Sequence, residues 1–214
     1  MGTIKQGILG GFSGKVGTVI GGSWKGISYM RSQAQSVKNP RTDGQLSQRS
    51  KFALALSFLK PMTDIVRTGF KLYANKQTAF NAAMSYTLAN AISGDYPDYQ
   101  LNFGSALISR GSLTSATNGV AAAADGSISV TWGDNSGVGT AKASDKALIA
   151  VLNADKGEAI TVSAEATRAT TNQSIAVPAD WVGEDVQVYL GFISEDSKEV
   201  ANSVYLGAVT VAKA

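Results

Sequence analysis

The hydrophobic pattern of the chain changes its period near residue 112, and this change limits the fold more than any other feature. From Leu113 onward, apolar and polar residues alternate in short runs that Gly, Asn and Asp turns separate. This alternation is typical of half-buried strands, and six or seven short strands in about 100 residues indicate an antiparallel β-sandwich. The runs are Ser127–Trp132, Ala147–Asn153, Ala159–Ala164, Gln173–Val177, Val186–Ser194 and Val200–Val211.

Between residues 38 and 92 the apolar positions follow helical spacing instead. Asn39-Pro40 predicts a turn, and Thr42 or Asp43 then supplies an N-cap whose side-chain oxygen accepts hydrogen bonds from the first backbone N–H groups. The first helix is expected to end near Lys60, and Pro61 to open the next one. Its predicted buried face is Leu46, Phe52, Ala53, Leu56 and Leu59, and a later helix carries the stripe Phe80, Met84, Leu88 and Ile92.

Glycine-rich sequence with β-type runs fills residues 1–37. Lys15–Ile20 and Trp24–Arg31 bracket Gly21-Gly22, and this arrangement predicts a hairpin with a glycine turn. The predicted fold class is therefore α+β, with an N-terminal β-hairpin plus helices followed by the C-terminal antiparallel β-sandwich.

The charge changes sign where the hydrophobic period changes. Residues 1–110 contain 13 Lys and Arg and 4 Asp and Glu, a net charge of +9, whereas residues 111–214 contain 6 and 12, a net charge of −6. The two coincident changes predict two domains, a basic β-hairpin and helical domain over 1–110 and an acidic β-sandwich domain over 111–214.

The composition removes most catalytic chemistry. The sequence contains no cysteine and no histidine, so disulfides, thiolate nucleophiles, Ser-His-Asp catalysis and His- or Cys-ligated metals are excluded. We therefore predict a protein that is not an enzyme and has no cofactor. A hydrolase built on two carboxylates, such as a glycoside hydrolase, stays as a third alternative.

Basic, aromatic and amide side chains mark a candidate interaction surface in the first 51 residues. Aromatic rings can stack on bases while neighbouring cations meet phosphates, and cations also suit an acidic protein partner. The alternative is a half-buried sheet beside a solvated helix face. The candidate residues are Lys15, Trp24, Lys25, Tyr29, Arg31, Arg41, Gln45, Gln48, Arg49 and Lys51.

Two groups in the C-terminal half have competing interpretations. Trp132 and Trp181 are interpreted as buried sandwich residues, with an exposed carbohydrate platform as the alternative. The acidic turn residues are typical of solvated loops, with a Ca²⁺ site as the alternative. These acidic residues are Asp155, Glu158, Asp180, Glu184, Asp185, Glu195, Asp196 and Glu199.

No apolar run reaches the roughly 18 residues that a membrane span requires. The first residues, MGTIKQGILGGFSG, lack the apolar core and cleavage site of a secretory signal peptide. We expect cytoplasmic synthesis, with a virion or another assembly as the final location.

Several motifs resemble known families. Ile128, Val130 and Trp132, followed by Tyr189 and a final hairpin, resemble the pattern of fibronectin type III and immunoglobulin-like domains. Over nearly its whole length the chain resembles an uncharacterised bacterial family, a domain of unknown function. The resemblance lies in GILGGFSGKVGTVIGGSWKGISYMRS, in the tail and, most specifically, in the NPRTxxQxxQRxxF pattern of NPRTDGQLSQRSKF. Similar NPRT and QR segments after a glycine-rich hairpin resemble ones in phage-associated proteins. The family implies no activity.

These observations predict a non-enzymatic structural or interaction protein. Its expected partners are proteins, through self-association or docking on a larger assembly, because a basic half and an acidic half suit head-to-tail contacts. The alternative is a nucleic-acid-binding protein that uses the basic N-terminal part.

Overall fold

The computed structural model describes residues 2–4, 10–24, 26–36, 39 and 41–213 of the 214-residue chain. The chain forms two compact units, Met1–Thr42 and Asp43–Ala214.

The N-terminal unit contains a small antiparallel sheet in the order β1-β2-β3-β4. Gly17, with φ of 59°, begins the turn from β2 to β3, and Gly26, with φ of 86°, precedes β4. Both φ values lie in the left-handed region, where glycine is favoured. The strands are β1 (Thr3–Ile4), β2 (Phe12–Val16), β3 (Val19–Trp24) and β4 (Ile27–Ser32).

The predicted glycine turn at Gly21-Gly22 is wrong, because both residues lie inside β3. A Cβ atom on Gly21 would lie 2.2 Å from the carbonyl oxygen of Phe12, and one on Gly22 would lie 2.9 Å from the Tyr29 ring. Both glycines therefore permit another part of the sheet to approach the backbone closely, which is a common role of glycine inside a strand.

Three helices begin the second unit: α1 (Asp43–Leu59), α2 (Thr63–Gly69) and α3 (Ala79–Asn90). A 3₁₀ turn over Lys60–Met62 contains Pro61 and joins α1 to α2. The hydroxyl oxygen of Thr78 accepts a hydrogen bond of 3.1 Å from the backbone N–H of Asn81 and caps α3. Of the helices in the described residues, none combines the length and apolar character that a membrane span needs.

The predicted buried face of α1 is partly wrong. Leu59 is buried as predicted, but Phe52 is 50% exposed and Leu56 is 36% exposed. The other buried residues, Ala55 and Phe58, lie outside the predicted face. The helix is apolar on several sides between residues 52 and 59, so the position of its neighbours decides which side is covered.

Antiparallel sheets complete the unit and confirm the predicted α+β fold class. Strands β7, β8 and β11 form one sheet in the order β11-β8-β7, and the other has the order β10-β9-β12-β13. Two sheets of three and four strands in this order form a sandwich of the fibronectin type III kind. The strands are β5 (Ile92–Ser93) and β6 (Gln100–Leu101), which pair with each other, then β7 (Thr117–Ala124), β8 (Ser127–Gly133), β9 (Lys146–Asn153), β10 (Glu158–Thr167), β11 (Asn172–Ala176), β12 (Asp185–Ile193) and β13 (Val204–Thr210).

The four-stranded sheet is the middle of three layers. On β9, Leu148, Ala150 and Leu152 pack in the core that contains the buried side of the helices. The alternate residues Ile149 and Val151 pack in the core between the two sheets. Burial on both faces explains why this strand is an almost continuous apolar run.

The helices and the sandwich therefore share one core. The division of the chain into compact units thus differs from the predicted domain boundary between residues 110 and 111. The segment that joins them is itself buried: Ile108 and Ser109 are both 0% exposed. The N–H of Arg110 donates to the carbonyl oxygen of Gly69 at 3.0 Å. The compact unit begins instead at Asp43.

A buried ion pair holds one end of the sandwich together. Arg168 and Asp145 are both fully buried, with 3.1 Å between Arg168 Nε and the Asp145 carboxylate. The guanidinium also donates to Asn135 Oδ1 at 2.6 Å and to the carbonyl oxygen of Thr114 at 2.8 Å. Burial lowers the pKa of Arg168, and the charge of Asp145 opposes this effect.

Candidate interaction surface

One face of the N-terminal sheet brings together four of the candidate residues. Cross-strand partners share a face, and alternate residues along a strand repeat it. The register pairs Lys15 with Ile20 and Ile20 with Arg31, then Gly22 with Tyr29 and Trp24 with Ile27. We call this surface the aromatic face; it comprises Lys15, Ile20, Trp24, Ile27, Tyr29 and Arg31.

The aromatic face has an apolar end and a cationic end. Trp24 and Ile27 lie at the end next to the turn between β3 and β4, and their side chains are 64% and 67% exposed. Tyr29 follows along β4 and is 46% exposed. The side chains of Lys15 and Arg31 are exposed at the other end. The other face of β2–β4 also exposes large apolar side chains, with Met30 at 71% and Val16 at 54%.

Exposed large apolar side chains that share a surface are typical of a site where another molecule binds. A unit of about 40 residues also buries too little apolar surface to be stable alone without a partner, a metal or disulfides. Its charge is also one-sided. Residues 1–42 contain six Lys and Arg and no Asp or Glu. The unit combines exposed apolar side chains with uncompensated positive charge, and both features suit a partner that offers apolar contacts and negative charge.

The remaining candidate residues are divided between the end of this unit and α1. Arg41 is exposed and has a left-handed φ of 47°. Gln45, Gln48 and Arg49 are exposed on the outer side of α1, beside Phe52 and Leu56. Lys25 lies outside the described residues.

Lys51 does not belong to the exposed side of α1. Its Nζ atom lies 4.6 Å from the centre of the Tyr99 ring, and the hydroxyl of Tyr99 is 2.7 Å from that of Ser47. Lys51 therefore holds the Tyr99 segment against the helix, a contact that a helical wheel cannot show.

The sandwich offers a second surface at the end where β12 begins. An apolar groove there is lined by Gly126, Val177, Pro178, Ala179, Val182 and Lys213. Val182 is 39% exposed. We call this part of the molecule the acidic end, because it carries six carboxylate side chains and only two lysines among the described residues. The carboxylates are Asp125, Asp155, Glu158, Asp180, Glu184 and Asp185, and the lysines are Lys156 and Lys213.

Part of this negative charge is paired. Lys156 Nζ lies 2.8 Å from Asp180 and 3.4 Å from Glu184. The hydrogen bond from Lys156 lowers the pKa of Asp180, and the same bond raises the pKa of Lys156. Asp125, Asp155 and Asp185 have exposed side chains and no lysine or arginine within ion-pair distance among the described residues.

The other functional alternatives in the sandwich find less support. Trp132 and Trp181 are buried, at 4% and 1% exposure, as predicted, so neither offers a carbohydrate platform. Within the described part of the chain, no group of three or more Asp and Glu side chains is arranged to hold a metal ion.

Comparison with protein families gives a match over residues 11–207 to DUF6266, a family of unknown function. The chain belongs to the DUF6266 family. The predicted resemblance to an uncharacterised family is thereby confirmed. No curated protein matches the chain in sequence.

Among solved structures, the chain is similar to the solution structure of the fn3 domain of the human collagen α-1(XX) chain. The identity is 15% and the TM-score is 0.37, over 50% of this chain and 93% of that one. The sandwich assignment rests on the strand order given above.

Two features of these surfaces were absent from the sequence prediction. The sequence prediction does not include Ile27 and Met30. Alternation places Ile27 on the same face as Tyr29 and Arg31, but Trp24 joins that face only because a turn separates β3 from β4 and makes Trp24 the cross-strand partner of Ile27. The apolar groove is assembled from distant segments, since the N–H of Val177 donates to the carbonyl oxygen of Gly126 across two strands. No local pattern identifies such a groove.

Proposed function

We propose that this DUF6266 protein is a non-enzymatic structural subunit that self-associates, or docks on a larger assembly, through its N-terminal sheet. The observation that carries the proposal is the aromatic face, with Trp24 and Ile27 about two-thirds exposed in a unit without carboxylates. A virion or another mobile-element assembly is the setting we favour, on the resemblance of the NPRT and QR segments to phage-associated proteins.

The energetic support comes from burial of apolar surface. Full burial of a side chain such as Ile or Met stabilises a contact by about 1.5–3 kcal/mol. Ile27 and Met30 stay largely exposed in the single chain, so most of this stabilisation is still to be gained in an assembly. The absence of His and Cys supports a role without catalysis.

Self-association is tested by sedimentation velocity or mass photometry across a salt series. We expect the wild-type protein to form oligomers that weaken as salt rises, because charge contributes to the contact. Ile27→Asp is expected to weaken self-association at least tenfold, while Val138→Asp, at a side chain that is 59% exposed elsewhere on the surface, leaves it unchanged. A wild-type protein that is monomeric at ~100 μM in low salt contradicts the proposal.

Nucleic-acid binding is the second candidate, because Lys15, Trp24, Tyr29 and Arg31 share one face. Stacking on two rings beside two cations is a common way to bind single strands. Trp132 and Trp181 are buried, so quenching of tryptophan fluorescence by added oligonucleotide reports mainly on Trp24.

The salt dependence tests this candidate further. Each neutralised phosphate of a single strand contributes about −0.7 to the slope of log K against log salt. Replacing Lys15 and Arg31 by Gln should therefore reduce the slope by about 1.4. If micromolar protein shows no quenching at ~50 mM salt, this candidate is excluded.

A further inference from the structure

We propose that the apolar groove at the acidic end of one copy is the docking site for the aromatic face of the next copy. This inference rests on the proposed self-association and names the two surfaces that would meet. The contact is heterologous, since the two surfaces lie on different parts of the chain, and it repeats from copy to copy.

The donor surface presents apolar groups that a neighbouring molecule can cover. Trp24 and Ile27 form a cross-strand pair next to the turn between β3 and β4, and both are largely exposed. Lys15 and Arg31 lie farther along the same face. The donor therefore has an apolar tip with cations behind it.

The acceptor surface has the complementary arrangement. Val177, Pro178, Ala179 and Val182 line an apolar groove, with Lys213 as its cation. Two exposed carboxylates belong to neighbouring positions of the chain. Asp125 directly precedes Gly126 of the groove, and Asp185 follows Val182 by three residues and pairs with Thr210 at the end of β13. The apolar tip of one copy can pack in the apolar groove of the next, while the cations of the first copy approach the carboxylates of the second.

Charge favours this occupant over a symmetric contact between two N-terminal sheets. Each copy of residues 1–42 carries six cations and no carboxylate. A symmetric contact places like charges opposite each other and disfavours association. Docking on the acidic end instead brings that unit against a surface with more carboxylates than lysines.

Two variants that each disable one surface test the inference. Ile27→Asp places a carboxylate on the donor tip, and Val182→Asp places one in the acceptor groove, where burial of an unpaired charge is unfavourable. Each variant alone is expected to be monomeric under conditions in which the wild-type protein assembles. Both positions are exposed in the single chain, so circular dichroism should show unchanged folding.

The decisive measurement is a 1:1 mixture of the two variants. The intact groove of Ile27→Asp can receive the intact aromatic face of Val182→Asp, so the mixture should form dimers and grow no further. Val138→Asp is the control and should assemble like the wild-type protein.

Two results overturn the inference while leaving self-association in place. One is normal assembly of Val182→Asp alone, which is expected of a symmetric contact between N-terminal sheets. The other is a mixture that stays monomeric although the wild-type protein assembles. A monomeric wild-type protein contradicts the proposed function itself.

Discussion

At the scale of single residues, Arg168 contacts four other residues in the sandwich interior. It contacts Asp145, Asn135 and the backbone of Thr114, and its guanidinium lies 3.9 Å from the centre of the Phe192 ring. Its own carbonyl oxygen accepts a hydrogen bond of 2.8 Å from the indole N–H of Trp132. Loss of this side chain would leave the buried carboxylate of Asp145 without its cation.

Arg168→Ala is expected to lower the free energy of unfolding by about 3–5 kcal/mol, because a buried charge is left unpaired. The control is Arg67→Ala. Arg67 pairs with Asp64 on the surface of α2 at 3.7 Å, and an exposed pair of this kind contributes about 0–1 kcal/mol. Urea unfolding followed by circular dichroism measures both. Equal effects of the two substitutions would show that the buried pair contributes no more than the surface pair.

At the scale of elements, α1 has two sides with different roles. Phe58 contacts Tyr189 on β12, with ring centres 5.9 Å apart, and also lies near Phe103 at 6.3 Å. Phe52 is not part of this buried cluster and is half exposed. The same residue type therefore occupies a core and a surface position on one helix.

Phe58→Ala should destabilise the protein by about 3–5 kcal/mol, because it removes a buried ring and leaves a cavity. Phe52→Ala is the matched control and should change the free energy of unfolding by less than about 0.5 kcal/mol. Urea denaturation of both variants provides the measurement. A larger loss for Phe52 than for Phe58 would restore the face predicted from the sequence.

The sequence predicted most strands of the sandwich but not the buried side of α1. Strand runs such as Ala147–Asn153 are identified by apolar residues between turn signals, and both features are local. The face of α1 depends on a sheet more than 80 residues later in the sequence, where Leu152 and Tyr189 meet the helix core. β7 was missed because its Ala-rich sequence, TNGVAAAA, carries a weak strand signal.

The candidate surface was predictable only in part for a related reason. Residues within one hairpin, such as Trp24 and Tyr29, can be placed on one face by alternation once the turn is known. The turn was predicted at Gly21-Gly22, which is wrong, because glycine is favoured both in tight turns and where the backbone is approached closely. The sequence alone does not distinguish these two roles. Spacing places Lys51 among the surface residues, but its contact with the Tyr99 ring depends on the fold, which spacing does not reveal.

At the scale of the whole molecule, the compact units predict where proteases cut. Arg41 is exposed at the boundary of the units, whereas Arg110 follows the fully buried Ile108 and Ser109. Brief digestion with trypsin should cut after Arg41 before Arg110. The product should be a stable fragment of residues 42–214 that retains both helical and β-type circular dichroism.

Mass spectrometry of the first fragments identifies the cut. A first cut after Arg110 that leaves a folded fragment of residues 111–214 would support the domain boundary predicted from charge and hydrophobic period. Loss of the helical signal from the 42–214 fragment would show that the N-terminal unit is required to keep the helices folded.

The shared core of the helices and the middle sheet also sets an order of events during synthesis. Phe58 leaves the ribosome about 130 residues before its partner Tyr189, and at 5–20 residues per second this interval lasts roughly 7–26 s. During that time the sheet that covers the apolar side of α1 lacks β12, although β9 and β10 are made earlier in the interval. Nascent chains of this protein are therefore expected to hold the helices incompletely covered until β12 is made, which makes them substrates for chaperones that act at the ribosome.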